Sequence, residues 1–98
     1  MKQQDLSRMF KALGNPRRRA VFEAVWQAGS GERGTRGARS VTVGEVARKT
    51  GLPQPTVSLY LQRLVEAGLI RTERRRREVH CTIERDALAA IASYARGR

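Results

Sequence analysis

Between Val43 and Ile83 the chain sets two short helical segments around Gly51 and follows them at once with two strand-like segments joined through Arg74, Arg75, Arg76 and Arg77. Thr42 with Glu45 three residues later is a capping box, each side chain accepting from a backbone N–H of the first turn. It starts a helix that runs to Thr50 and is ended by Gly51. The next helix begins near Pro53 or Gln54 and continues to Ala67, with Val57, Leu61, Leu64 and Val65 on one core-facing stripe and Gly68 as its stop. Leu69 to Arg74 and Arg77 to Ile83 read as strands, because Val79, Cys81 and Ile83 alternate onto one face and His80 and Thr82 onto the other.

The flanks are helical. Leu6, Met9, Phe10 and Leu13 fall at i, i+3, i+4 and i+7, one face of a helix over Asp5 to Leu13 that Gly14 can close in the left-handed conformation. Asn15 offers an N-cap acceptor and Pro16 a preset φ, so a second helix runs from Pro16 to about Gln27 with Val21, Phe22, Val25 and Trp26 as its buried stripe. Ala28 to Ser40 holds four Gly and three Arg with almost nothing apolar, which predicts a flexible surface loop over residues 28–40. Arg85 to Ala95 forms a last helix with Leu88, Ile91, Ala92 and Ala95 on a stripe. Two helices, two more helices, a hairpin and a final helix describe a mainly α chain with a small β-hairpin. That is the outline of a winged helix-turn-helix, which lays its second core helix in a DNA major groove and its wing along the phosphates.

Charge agrees with such a partner. The 98 residues, room for one domain, carry 20 Lys plus Arg against 9 Asp plus Glu, a formal +11 spread along the chain rather than gathered in a tail. Double-stranded DNA is therefore the leading partner. A membrane is not, since no apolar run approaches the ~20 residues that span a bilayer. No signal peptide is visible at Met1 to Ser7, and a cytoplasmic protein is the default expectation. One cysteine, Cys81, and one histidine, His80, exclude an intramolecular disulfide framework and fall short of a zinc site, so the sequence calls for no metal and no cofactor. No nucleophile–base pair or paired carboxylates can be assembled from the spacings, and the chain is not read as an enzyme.

On the helix from Gln54 to Ala67, the side away from the core stripe presents Pro55, Thr56, Leu59, Gln62, Arg63 and Glu66, with Gln54, Ser58 and Tyr60 near its edges. Its N-terminal half is small, hydrogen-bonding and nearly uncharged, which suits base edges: Gln pairs with adenine, Thr and Ser serve several bases, and an apolar side chain meets a thymine methyl. Leu59 is either that apolar contact or an idle surface leucine. Arg74 to Arg77 crowd guanidiniums into one turn, where a polyanion would relieve their repulsion, and plain solvation is the alternative. Arg17, Arg18 and Arg19 stand in a helix first turn that disfavours cations, so phosphate, ion pairing or solvation must explain them. Arg17, Arg18 and Thr42 are candidate phosphate contacts, and Arg33, Arg36 and Arg39 could touch nucleic acid from their loop. Cys81 reads as a buried structural thiol, with a redox sensor as the lesser reading.

Three stretches together resemble the ArsR/SmtB family of small dimeric winged-helix repressors: Phe10-Lys11-Ala12-Leu13-Gly14-Asn15-Pro16-Arg17-Arg18-Arg19, Gly51-Leu52-Pro53-Gln54-Pro55-Thr56-Val57-Ser58, and Leu64-Val65-Glu66-Ala67-Gly68-Leu69-Ile70. The resemblance runs from Leu6 to Tyr94. It implies a short extra strand before the capping box, and a homodimer joined through the first and last helices, with Leu6, Met9, Phe10, Leu13, Leu88, Ile91, Ala92 and Ala95 as candidate interface residues. It also exposes departures. Metal-sensing members carry Cys-x-Cys on the helix corresponding to Val43 to Thr50, or His and carboxylate ligands on the last helix; this chain has neither Cys nor His in either place, and Glu84 with Asp86 makes at most half a site. Where the family commonly has a polar residue, a basic residue and a histidine on the reading helix, this chain has Pro53, Leu59 and Tyr60. The wing tip lacks the usual Gly.

These readings converge on a sequence-specific repressor that binds a roughly palindromic operator as a homodimer, without the family's usual metal input. Two alternatives stand beside it: a nonspecific architectural or RNA-associated basic protein, and a ligand- or redox-responsive repressor using Cys81. The small-molecule effector, if there is one, leaves no motif.

Overall fold

The computed structural model describes residues 5–29 and 40–97. Its elements follow the order α1 (Leu6–Leu13), α2 (Pro16–Gly29), β1 (Val41–Thr42), α3 (Val43–Thr50), α4 (Gln54–Glu66), β2 (Ile70–Arg75), β3 (Glu78–Ile83) and α5 (Arg85–Ala95). The strands form one antiparallel sheet in the order β1-β3-β2. Val41 lies opposite Cys81, and Ile70 opposite Ile83, so the short first strand closes the side of β3 that the hairpin leaves open. The arginines of the loop, Arg33, Arg36 and Arg39, lie outside the described residues.

Local chemistry accounts for most boundaries. Asp5 caps α1 by accepting from the Arg8 N–H at 3.1 Å. Asn15 does the same for α2 with the Arg18 N–H at 3.0 Å, ahead of Pro16. The capping box forms in both directions: the Glu45 N–H donates to the Thr42 hydroxyl at 3.2 Å and the Thr42 N–H to the Glu45 carboxylate at 2.8 Å. Gly51 then ends α3 at φ 76°, a left-handed position open to glycine. At the end of α4, Gly68 at φ 81° lets the Leu69 N–H reach the Leu64 carbonyl at 3.0 Å and its own N–H reach Val65 at 2.9 Å. This is a Schellman turn, and the two leucines that it brings together are both fully buried.

The core lies where α2, α3 and α4 cover the apolar face of the sheet, with α1 packed against α2 and α4. Met9, Val21, Val25, Val46, Val57, Leu64, Leu69, Ile70 and Cys81 are fully enclosed. Burying a side chain of this size contributes roughly 1.5–3 kcal/mol.

Several expectations need correction. Gly14 is right-handed, at φ −73°, because only Gly14 and Asn15 separate two helices and the chain passes directly from one into the next. α2 reaches Gly29, so its last turn occupies residues assigned to the loop, and Ser40 is anchored beside the sheet by its contact with His80 at 3.1 Å. Trp26 and Val65, expected inside, are 43% and 38% exposed, while Ala24 takes a buried place on α2 instead. Met9 sits in the protomer's own core and cannot be an interface residue. On α5 the buried anchor is Ala87; Leu88 and Ile91 are half-buried, and Ala92 and Ala95 are exposed.

Candidate nucleic-acid interface

The second core helix, α4, presents an exposed ridge of Gln54, Pro55, Ser58, Leu59 and Gln62, with Thr56 partly covered beside it. Leu59 is 48% exposed, as its place on the wheel requires. Pro53 heads the helix without any side-chain cap, so the first-turn N–H groups point outward with no side-chain acceptor, a disposition that favours an incoming anion. Tyr60, expected at the edge of this face, is half-buried against the core. Arg63 points to the other end of the helix, where its guanidinium pairs with Glu66 at 3.4 Å. The two depart for different reasons: Tyr60 sits one step round the wheel towards the core, whereas Arg63 is on the same stripe as Leu59 but one turn nearer the end of the helix.

Between the start of α3, the start of α4 and the hairpin runs a groove of about 550 Å³. Gln54 and Ser58 form its helix wall, Thr42, Glu45 and Arg48 its floor, and Arg74, Arg77, Glu78 and Val79 the side given by the hairpin. Three guanidiniums thus face two carboxylates. The Glu45 carboxyl is held below its ordinary range, chiefly by the hydrogen bond from the Thr42 N–H, and so stays charged in service of the cap. Sequence reasoning missed Arg48; it lies three residues after Glu45, on the capping-box side of its helix, and that spacing was the available signal.

The four arginines of the hairpin do not act as one cluster. Arg74 and Arg77 line the groove, whereas Arg75 pairs with Glu73 at 3.2 Å and Arg76 takes the tip. Since Arg75 pairs with Glu78 across the strands, the turn has two residues, and Arg76 occupies its first position at φ 56°. That conformation suits glycine, and a side chain there is strained.

The helix arginines near the chain start also divide. The Arg18 guanidinium donates to the Ala12 carbonyl at 2.7 Å and that of Arg19 to Leu13 at 2.9 Å, so both satisfy carbonyls left open at the end of α1. This explains cations in an unfavourable first turn without a DNA phosphate, and Arg18 does not line the groove beside the hairpin. Arg17 is exposed. Cys81 is fully buried, and burial pushes its thiol up to about 11, which favours the protonated thiol. His80 is held between Ser40 at 3.1 Å and Glu78 at 3.3 Å, linking the sheet's edge to the turn end of the hairpin. Among the described residues no three His, Cys, Asp or Glu side chains gather around a common point, and Glu84 is engaged by Arg71 at 3.2 Å. No described helix is long and apolar enough to cross a membrane.

Comparison with known proteins agrees with this geometry. A family described as a helix-turn-helix domain matches residues 13–73. Among solved structures, the chain is similar to an ArsR family transcriptional regulator at 26% identity and a TM-score of 0.73, covering 97% of this chain and 91% of that one. It is also similar to the homodimeric winged helix-turn-helix DNA-binding domain of a possible ArsR-family regulator from Mycobacterium bovis, at 25% identity and a TM-score of 0.69 over 94% of this chain and 78% of the other. NolR from Sinorhizobium fredii, 21% identical with a TM-score of 0.67 over 92% and 79% of the two chains, shares the fold. No curated protein matches significantly.

Proposed function

Since the chain belongs to the helix-turn-helix domain family and is a winged-helix transcriptional regulator of the ArsR type, we propose that it acts as a cytoplasmic homodimeric repressor reading a roughly palindromic operator. The observation that carries this is the exposed, almost uncharged ridge of α4 lying beside a groove lined by Arg48, Arg74 and Arg77. Such a ridge offers base-edge partners, whereas a purely electrostatic binder would have no use for it. Gln54, Thr56, Ser58, Leu59 and Gln62 read bases, with Pro55 shaping the helix start. Arg74, Arg76 and Arg77 meet phosphates along the wing, Arg75 joins them once released from Glu73, and Thr42 and Arg17 flank the track. Dimerisation through α1 and α5 uses Leu6, Phe10, Leu13, Leu88, Ile91, Ala92 and Ala95, and sets two reading helices in successive major grooves ~34 Å apart.

The test is selection of binding sites from a random duplex library. The parent protein should enrich an inverted repeat, and the Gln54→Ala/Thr56→Ala variant should lose preference at the corresponding bases, each good contact being worth about 1–3 kcal/mol. The Arg74→Gln/Arg77→Gln variant should instead weaken all duplexes alike. A parent protein with a specificity ratio near one at physiological salt would transfer the chain to the architectural class, and an unchanged preference in the α4 variant would remove the reading helix from α4.

A further inference from the structure

Away from the wing, a second cleft of about 590 Å³ opens between α1, the last turn of α4 and the first turn of α2. Arg8, Lys11, Arg18 and Arg63 line it, with Glu66 as its one carboxylate and Ala12 and Ala67 as an apolar floor. We propose that this cleft is a binding site for a small phosphate-bearing ligand, through which the proposed repressor receives a chemical input.

Charge carries the first step. Two of the cations satisfy helix ends: Arg18 donates to the Ala12 carbonyl at 2.7 Å, and Arg8 reaches the Glu66 carbonyl at 3.5 Å. A helix C-terminus is equivalent to about half a negative charge. Arg8 also pairs with Asp5 at 3.9 Å. Four cations set against Glu66, Asp5 and two such ends therefore leave about +1 uncompensated. The positive charge that remains after capping and ion pairing favours an anionic ligand. Each guanidinium keeps donors beyond the one it spends on a carbonyl or on Glu66, and arginine's planar fork fits phosphate oxygens in pairs. The volume falls within the roughly 300–1,000 Å³ usual for small-ligand sites, larger than a bare ion needs, so the phosphate would carry an organic body over the alanine floor.

Position carries the second step. Helical spacing puts Arg8 opposite Phe10 on α1 and Lys11 about 100° round from it, away from Leu6 and Leu13, so the cleft stays open when α1 and α5 meet a partner protomer. A bound phosphate would tie α1, a dimer helix, and α2 to the C-terminal end of α4. As a regulatory input this rests on the DNA-binding reading above, but occupancy is measurable without DNA.

The experiment is calorimetric titration of the full chain with inorganic pyrophosphate at ~0.15 M salt, where exposed charges are largely screened. The parent should bind saturably, once per protomer. Arg8→Gln/Lys11→Gln should weaken that binding at least tenfold with unchanged far-UV circular dichroism and unchanged operator affinity, while Arg74→Gln/Arg77→Gln should keep it. If the double variant is unfolded, Lys11→Gln alone, at an exposed position, must show the weakening. Absence of saturable binding, equal binding by the cleft variants, or loss only in the wing variant would overturn the site. Loss of operator affinity in the cleft variants would overturn the free-ligand source and give the cleft to the DNA backbone. A chain that selects no operator yet shows the expected isotherms would keep the site and lose only its regulatory role.

Discussion

Arg76 holds the tip of the wing at φ 56°, in a two-residue turn whose first position is ordinarily given to glycine. A non-glycine residue there costs on the order of 1 kcal/mol, so the wing trades stability for a guanidinium at its most projecting point. Arg76→Gly should therefore leave the protein equally stable or up to ~1 kcal/mol more stable, since glycine's looser unfolded chain offsets part of the gain. It should also weaken DNA of every sequence alike and reduce the slope of log K against log salt by about 0.9, the value of one phosphate contact. Urea unfolding alongside a salt series would check both, and a clear fall in stability with full affinity would contradict the assignment. At this scale the residue types were legible and their directions were not. Four consecutive arginines announce a basic tip, but only the strand register sends Arg74 and Arg77 into the groove and Arg75 to Glu73. Tyr60 and Arg63 likewise have the chemistry of base readers and are engaged elsewhere.

Caps and stops are the part of the elements that sequence states outright, because they depend on residues three or four apart. Thr42 with Glu45, Asn15 with Pro16, and Gly51 and Gly68 all do what their spacing requires. The two-residue strand β1 has no period to read and entered only through family resemblance. Stripe membership was partly legible for a similar reason: spacing names a face, and a face can be shared. On α1, Met9 and Ala12 turn to the protomer's core while Phe10 remains 40% exposed. The capping box supplies a prediction at this scale. The Glu45 carboxyl is lowered below its ordinary 4.5 chiefly by the Thr42 N–H, so its contribution to stability is present above that value and is lost as pH falls through the lower folded value. Glu45→Ala should cost about 0.3–1.5 kcal/mol near neutrality. Glu45→Gln should be less stable than the parent near neutrality, and the difference should shrink as pH falls through the parent's lowered value. Urea midpoints at neutral and acid pH decide it, and a difference that does not change with pH would mean the charge plays no part.

The whole molecule has an output surface on one side and an uncovered apolar surface on another. Phe10 and Tyr94 meet at 5.4 Å between ring centroids, yet are 40% and 62% exposed, with Ala92 and Ala95 exposed on the same last helix. A chain this short buries a modest share of its surface, so covering α1 and α5 with a second copy adds what a single core cannot supply. A two-fold axis through that surface would pair each α4 with its symmetry mate, which is what an inverted-repeat operator demands. Stability and DNA affinity should then share a dependence on protomer concentration. Phe10→Glu puts a charge into the proposed interface without touching the core, because Phe10 is outside that core. The variant should sediment as a folded monomer, lose the concentration dependence of melting, and bind a palindromic duplex at least ~100-fold more weakly, the usual loss when two linked half-site contacts become one. Its affinity for an isolated half-site should match that of a parent protomer, since α4 and the wing are unchanged. Sedimentation equilibrium and half-site titration together test this, and a Phe10→Glu protein that remains dimeric would place the interface on another surface of the fold.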